Sequence, residues 1–233
     1  MTIHDEMETL RKIQEGYSIS RFGDGEFRLI NGKNMIFQDY DNRIVRLLKK
    51  ILSQDNIPKK LLIGIPPFYK NKNTFYCPER ITNKKVETYW RRYMNKKESK
   101  NIEDIINYDK IYYSSFISRI ESFEYCKKKY LEELSKIWNK RNVVLIMNQK
   151  KYSEVSNIIK KHLDTANILE IIFCKERNAF EYFDCLLDKC KKFNKSTLFL
   201  IMAGPTAAVL SYKLCKSGYQ SVDIGSFFEM YGQ

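Results

Sequence analysis

The sequence predicts an α/β fold: a Rossmann-like, mostly parallel sheet with helices on both faces. Short apolar runs of strand length alternate with stretches of helical periodicity, the pattern of a parallel sheet wrapped by crossover helices. The 233 residues are 43% hydrophobic, enough to bury one sizeable core. No internal repeat, low-complexity linker or Pro/Gly-rich boundary interrupts them, so residues 1–233 read as a single domain.

Residues 1–15 carry charges of both signs and no apolar signal-peptide core, and so read as a surface helix. Residues 18–22 form the first strand. Ile44, Val45, Leu47, Leu48, Ile51 and Leu52 then make an i, i+3, i+4, i+7 stripe, the mark of an amphipathic helix. Leu61–Ile65 is an apolar strand, and further strands follow at 111–116, 143–147, 168–173 and Leu198–Met202. The intervals supply helices at 86–94, 123–138, 153–162 and 180–190, and a last one at 206–216.

No apolar run reaches the roughly 20 residues that a bilayer span requires, which makes a cytoplasmic location the expectation. The net charge is +13. The basic residues are dispersed as Arg91-Arg92, Lys96-Lys97, Lys127-Lys128-Lys129, Lys160-Lys161 and Lys191-Lys192. Dispersal ranks solvated faces first, attraction to anionic substrates or the inner membrane face second, and nucleic acid last. Six cysteines without a Cys-x-x-Cys pair, and only two histidines, argue against structural zinc and a disulfide framework.

Ligands of a parallel sheet bind at the carboxyl ends of its strands, so the residues after each strand carry the functional reading. Behind the first strand stands Ser20-Arg21-Phe22-Gly23-Asp24-Gly25-Glu26, whose glycines are expected to let the chain turn sharply. In extended geometry Asp24 and Glu26 project to one side, where two hard oxygen ligands suit Mg²⁺ or Mn²⁺. Such a cation would neutralise a leaving diphosphate, while Arg21 pairs with a phosphate oxygen or braces the carboxylates. The competing reading is a plain hairpin tip, because Asp-Gly is a common turn dipeptide.

Gly204-Pro205-Thr206 opens an Ala-rich helix. Its free N–H groups would hold phosphate or a sugar hydroxyl, or merely start the helix. Asn178 would cap a helix or read a base or sugar edge. Arg119 would meet an anion or a surface carboxylate. Phe68, Tyr69, Phe75 and Tyr76 would stack on a ring or pack in the core. There is no Gly-x-Ser-x-Gly, no phosphate-binding P-loop and no third glycine of the dinucleotide pattern, which disfavours those classes.

The string Ser18-Ile19-Ser20-Arg21-Phe22-Gly23-Asp24-Gly25-Glu26 resembles the start of the GT-D-fold glycosyltransferases, bacterial enzymes with an Asp-x-Glu metal motif. Gly64-Ile65-Pro66, Ser115-Phe116-Ile117-Ser118-Arg119, Asn178-Ala179-Phe180 and Gly204-Pro205-Thr206-Ala207 resemble that family in the same order. Gly218-Tyr219-Gln220-Ser221-Val222-Asp223-Ile224-Gly225 completes the series. The resemblance implies a UDP-sugar donor, a hexose (commonly glucose), and a glycan acceptor on a surface glycoprotein or cell-envelope polysaccharide. It implies Mn²⁺ or Mg²⁺ held through Asp24 and Glu26. Arg21, Gly23, Gly25, Arg119, Asn178, Gly204, Pro205 and Thr206 would then lie at the nucleotide sugar.

Two stretches depart from the family's pattern. Asn148-Gln149-Lys150-Lys151-Tyr152 stands where relatives carry an acidic, glycine-rich stretch with an arginine. Ser226-Phe227-Phe228-Glu229-Met230-Tyr231 stands where relatives continue with a histidine, leaving Glu229 as a substitute catalytic base. The second stretch also motivates a degenerate member that binds donor and assists another transferase. A nucleic-acid-binding module is the alternative outside the family. Exposed aromatic surface would support a homodimer, and the positive charge a peripheral membrane association.

Overall fold

The structure is a computed structural model that describes residues 1–71, 74–95, 97–123 and 125–230. Lys96 of one basic pair, Glu124 within the expected helix 123–138, and Tyr231 lie outside the described residues. The chain opens with β1 (Thr2–His4), α1 (Glu6–Gln14), β2 (Ser18–Arg21), α2 (Asp24–Ile30) and α3 (Asn42–Leu52). Next come β3 (Leu61–Ile65), a hairpin of β4 (Tyr69–Asn71) and β5 (Thr74–Tyr76), α4 (Lys84–Met94), α5 (Lys97–Glu103) and β6 (Ile111–Ser114). The middle holds α6 (Lys127–Ser135), β7 (Asn142–Asn148), α7 (Gln149–His162) and β8 (Asn167–Cys174). It closes with α8 (Phe183–Cys190), β9 (Leu198–Met202), α9 (Pro205–Lys216), β10 (Gln220–Asp223) and α10 (Phe227–Met230).

Eight strands form one sheet in the order β1-β6-β3-β2-β10-β9-β7-β8, and every neighbouring pair is parallel. Burial on both faces explains the unbroken apolar runs of β3, β7 and β9. Val143, Leu145 and Met147 of β7, with Leu198, Leu200 and Met202 of β9, pack with Leu10, Tyr130, Ile159 and Phe227 of α1, α6, α7 and α10. Val144, Ile146, Phe199 and Ile201 point the other way, into a cluster with Ile44, Trp90, Leu186 and Leu210 of α3, α4, α8 and α9. The expected helices on both faces are thus present.

The N-terminal reading is corrected. Thr2–His4 is an edge strand beside β6, and α1 is packed inward, with Glu6, Thr9, Leu10 and Ile13 buried. β10 lacks an apolar run because only Val222 is apolar, yet all four of its residues are buried. Its polar side chains are satisfied internally: Gln220 donates to the Ile13 and Tyr17 carbonyls and Ser221 to the Ser211 carbonyl.

The strand order turns around at β2 and β10. From β2 the chain steps to β3 and β6 on one side, while β9, β7 and β8 lie beyond β10 on the other. The β2–β10 seam pairs only Ile19 with Val222. A crevice at such a reversal, outside the carboxyl ends, is where an open parallel sheet binds ligands. Among the described residues no helix is long and apolar enough to cross a membrane.

Candidate active site

Arg21 ends β2 at this seam, and its guanidinium laces three strand ends together. It donates to the Ser115 carbonyl at 2.8 Å and to Ser118 Oγ at 2.6 Å, both just past β6. It faces Asp223, the last residue of β10, at 3.6 Å. Gly225 has φ +52°, and a Cβ there would sit 2.0 Å from Arg21 Nη2, so any other residue would be strained and would displace the guanidinium. Burial raises the Asp223 carboxyl, against the pull of Arg21 and of backbone N–H donors.

Asp24 and Glu26 are not on an extended segment or a hairpin tip, as the spacing alone suggested. They occupy the first turn of α2, where an acidic residue meets the positive end of the helix. Gly23, the N-cap, is extended (φ −136°), so no turn demands glycine there. At Gly25 a Cβ would lie 2.3 Å from Met35 Cε, so a larger residue there would push the flexible Met35 side chain aside. Glu26 folds back to accept the Gly23 N–H at 2.7 Å. Asp24 instead accepts the Tyr89 hydroxyl, from α4, at 2.8 Å. Burial, and then the neighbouring Asp223 carboxylate, lift Glu26 to about 7, with Asp24 adding a smaller push.

These residues line a cleft of about 680 Å³, with Arg119, Trp90, Phe116 and the α9 start at Gly204-Pro205. Arg119 is exposed, makes no ion pair among the described residues, and lies over the Phe116 ring at 5.7 Å. The structure therefore brings together Arg21, Gly23, Asp24, Gly25, Glu26, Arg119, Gly204 and Pro205. Thr206 is fully buried behind them, inside α9.

Asn178 and Glu229 fall elsewhere. Asn178 stands at the N-cap of a short 3-10 turn (Ala179–Tyr182) that leads into α8, but its side chain makes no capping bond; in the left-handed region (φ 57°), it spends its amide on Asp39. Glu229 pairs with Lys151 at 2.8 Å in a second cleft, which shares Gly204 and Gly225 with the first. Phe68 packs in the core against Phe75 and Trp90, while Tyr69 and Tyr76 stack on each other at 4.5 Å.

The family model described as "Glycosyltransferase GT-D fold" matches residues 19–232. The chain belongs to the GT-D-fold glycosyltransferase family. Glycosyltransferase GlyD of Streptococcus pneumoniae serotype 4 is 30% identical over 217 residues, covering 91% of this chain and 25% of the relative. The probable glycosyl transferase Gly of Streptococcus gordonii is 26% identical over 216 residues, with 91% and 30% covered. This GT-D chain thus spans 25% and 30% of those relatives' lengths. A solved structure described as a new glycosyltransferase from Streptococcus sanguinis superposes with a TM-score of 0.84 at 26% identity, covering 100% of this chain and 84% of that one. Another, described as a conserved domain with a distinct glycosyltransferase fold, gives 0.83 at 29% identity, covering 100% and 80%.

Two residues at this candidate site, Asp223 and Tyr89, are not among the site candidates read from the sequence. Asp223 was within reach, since it lies in the string 218–225 and ends a strand, but that strand has a single apolar residue. Tyr89 carries no sequence signal, because only the packing of α4 brings it to Asp24.

Proposed function

We propose that this chain transfers a hexose from a UDP-sugar to a glycan acceptor, on a surface glycoprotein or cell-envelope polysaccharide, with the help of Mn²⁺ or Mg²⁺. The observation that carries the reading is the cleft at the β2–β10 seam. There the carboxylates of Asp24, Glu26 and Asp223 adjoin an uncommitted Arg119 in a chain of the GT-D family.

The donor chemistry supports a hard divalent cation. Every titratable ligand candidate lining the cleft is a carboxylate, and Asp24 is the one least engaged by backbone. Among the described residues no group of three or more His, Cys, Asp or Glu forms a closed cage. That suits a metal held by one or two carboxylates and completed by phosphate oxygens and water. Asp24 and Glu26 would hold it, directly or through water, and it would supply charge neutralisation of the departing diphosphate. Arg119 and the first turn of α9 would hold the phosphates, and Arg21 would keep the carboxylate wall in place. Glu229, at the adjoining cleft, would take the acceptor hydroxyl's proton.

Thermal unfolding with Mn²⁺, with UDP and with both tests the reading. Ligand at about 100 times its dissociation constant adds roughly 2.7 kcal/mol, or about 5–10 °C for a chain of this size. A rise that needs both ligands and vanishes in Asp24→Asn is expected. An equal rise in that variant would remove Asp24 from the metal site, and no rise at all would remove UDP.

A further inference from the structure

We propose that the second cleft, over the ends of β7, β8 and β9, is the acceptor subsite and takes a neutral pyranose ring. The assignment rests on the transferase reading above. The two clefts adjoin at Gly204 and Gly225, so a sugar in one lies beside a ligand in the other.

Their electrostatics separate the two roles. The first cleft offers Arg119, which makes no ion pair among the described residues and so can meet a diphosphate. In the second, the charges are already matched. Lys151 meets Glu229 at 2.8 Å and Glu154 at 3.5 Å, and Lys175 meets Glu181 at 3.6 Å. Paired charges carry no surplus for an anion, but together they donate and accept, as sugar hydroxyls do.

Phe37 adds a flat apolar surface. The residue is 48% exposed yet lines this cleft, an arrangement that fits the C–H face of a pyranose. The loop bearing it is pinned. The Asn178 N–H donates to the Phe37 carbonyl at 2.9 Å, and the Asn178 side chain both accepts from the Asp39 N–H at 2.8 Å and donates to its carboxylate at 2.9 Å. Arg177 pairs with the same carboxylate. Two residues before Phe37, Met35 lines the first cleft against Gly25. One strap therefore borders both clefts, and Asn178 is a positioning residue for it.

Amide NMR of the full chain separates the possibilities, using millimolar methyl β-glucoside and methyl β-galactoside as one probe and Mg²⁺ with UDP as the other. The glycosides are expected to shift amides of residues 148–151, 174–176 and 225–229. Mg²⁺ with UDP is expected to shift residues 21–26 and 119. Phe37→Ala should weaken glycoside binding roughly tenfold while leaving the Mg²⁺–UDP shifts unchanged. Glycoside shifts that are absent, that centre on Asp24, or that survive Phe37→Ala overturn the assignment, as does UDP in the second cleft. Glycoside shifts in the second cleft without any response to UDP would support the saccharide subsite and count against the donor reading alone.

Discussion

Asp24 owes its orientation to a residue 65 positions away. Tyr89 donates to it, and burial together with that hydrogen bond pushes the phenol up to about 12, so Tyr89 remains a donor at any physiological pH. Tyr89→Phe should leave the fold intact, since the side chain is half exposed. It should raise the Mn²⁺ concentration for half-maximal UDP release from a UDP-sugar roughly tenfold, the usual cost of losing an outer partner of a ligand. An unchanged metal requirement would deny Tyr89 this role. Glu26 gives a second test, without metal. Its folded value near 7 lies above the 4.5 of a free carboxyl, so the folded chain binds the proton more tightly. The contribution of Glu26 to stability is then greatest below pH 4.5, falls by at most about 3 kcal/mol between about 4.5 and 7, and is flat above. Urea unfolding should show Glu26→Gln gaining stability over wild type at pH 8 and little at pH 5. Equal effects at both pH values would contradict the shift. The sequence marked both carboxylates but misplaced them, because Gly-Asp-Gly-Glu suits a turn as well as a helix start and only packing decides.

At the scale of elements, α1 shows how much an unassuming charged segment can hide. Glu6 is fully buried and accepts from Arg80 Nε at 2.7 Å and from Ser114 Oγ at 2.6 Å. Thr9 takes the Ser114 N–H at 3.1 Å, so the helix is stitched to the end of β6. Ser114 leads directly into Ser115 and Ser118, the anchors of Arg21. Glu6→Ala leaves Arg80 without its partner, but the Arg80 side chain is 26% exposed and reaches water, so the cost falls at the low end, about 3 kcal/mol, of breaking a buried pair from one side. The melting midpoint should drop by roughly 6–12 °C for a chain of this size. A drop of a degree or two would mean that water replaces the carboxylate. Sequence periodicity reached β3 and β9 to the residue, since two-sided burial writes itself as an apolar run. It failed at β1, on the sheet edge, and at β10, whose burial is satisfied by hydrogen bonds instead of apolar side chains.

At the scale of the molecule, topology does what no local pattern announces. It turns the strand order at β2 and β10, so that residues from four strand ends and three helices meet in one cleft. It also sends Glu229 one cleft further and ties Asn178 to Asp39, although both were expected at the nucleotide sugar or the chemistry. The same view bears on the charge of +13. Arg91 and Arg92 ride on α4, which packs on one face of the sheet, while Lys127–Lys129 and Lys160–Lys161 ride on α6 and α7, which pack on the other. Some of these charges are already engaged: Arg91 meets Glu87 at 2.7 Å, and Lys191 meets Asp188 at 3.4 Å. A nucleic-acid strand cannot follow charges split between opposite faces, so any affinity is the non-specific kind, about 10⁻⁴–10⁻⁶ M at physiological salt. Fluorescence anisotropy of a labelled 20-mer should show binding in that range that collapses on raising salt. The thermal shift with Mn²⁺ and UDP should persist, because short contacts in a partly buried cleft are screened far less than exposed charges. Nanomolar binding of the 20-mer that survives salt would revive the nucleic-acid reading and make the carboxylate cleft secondary.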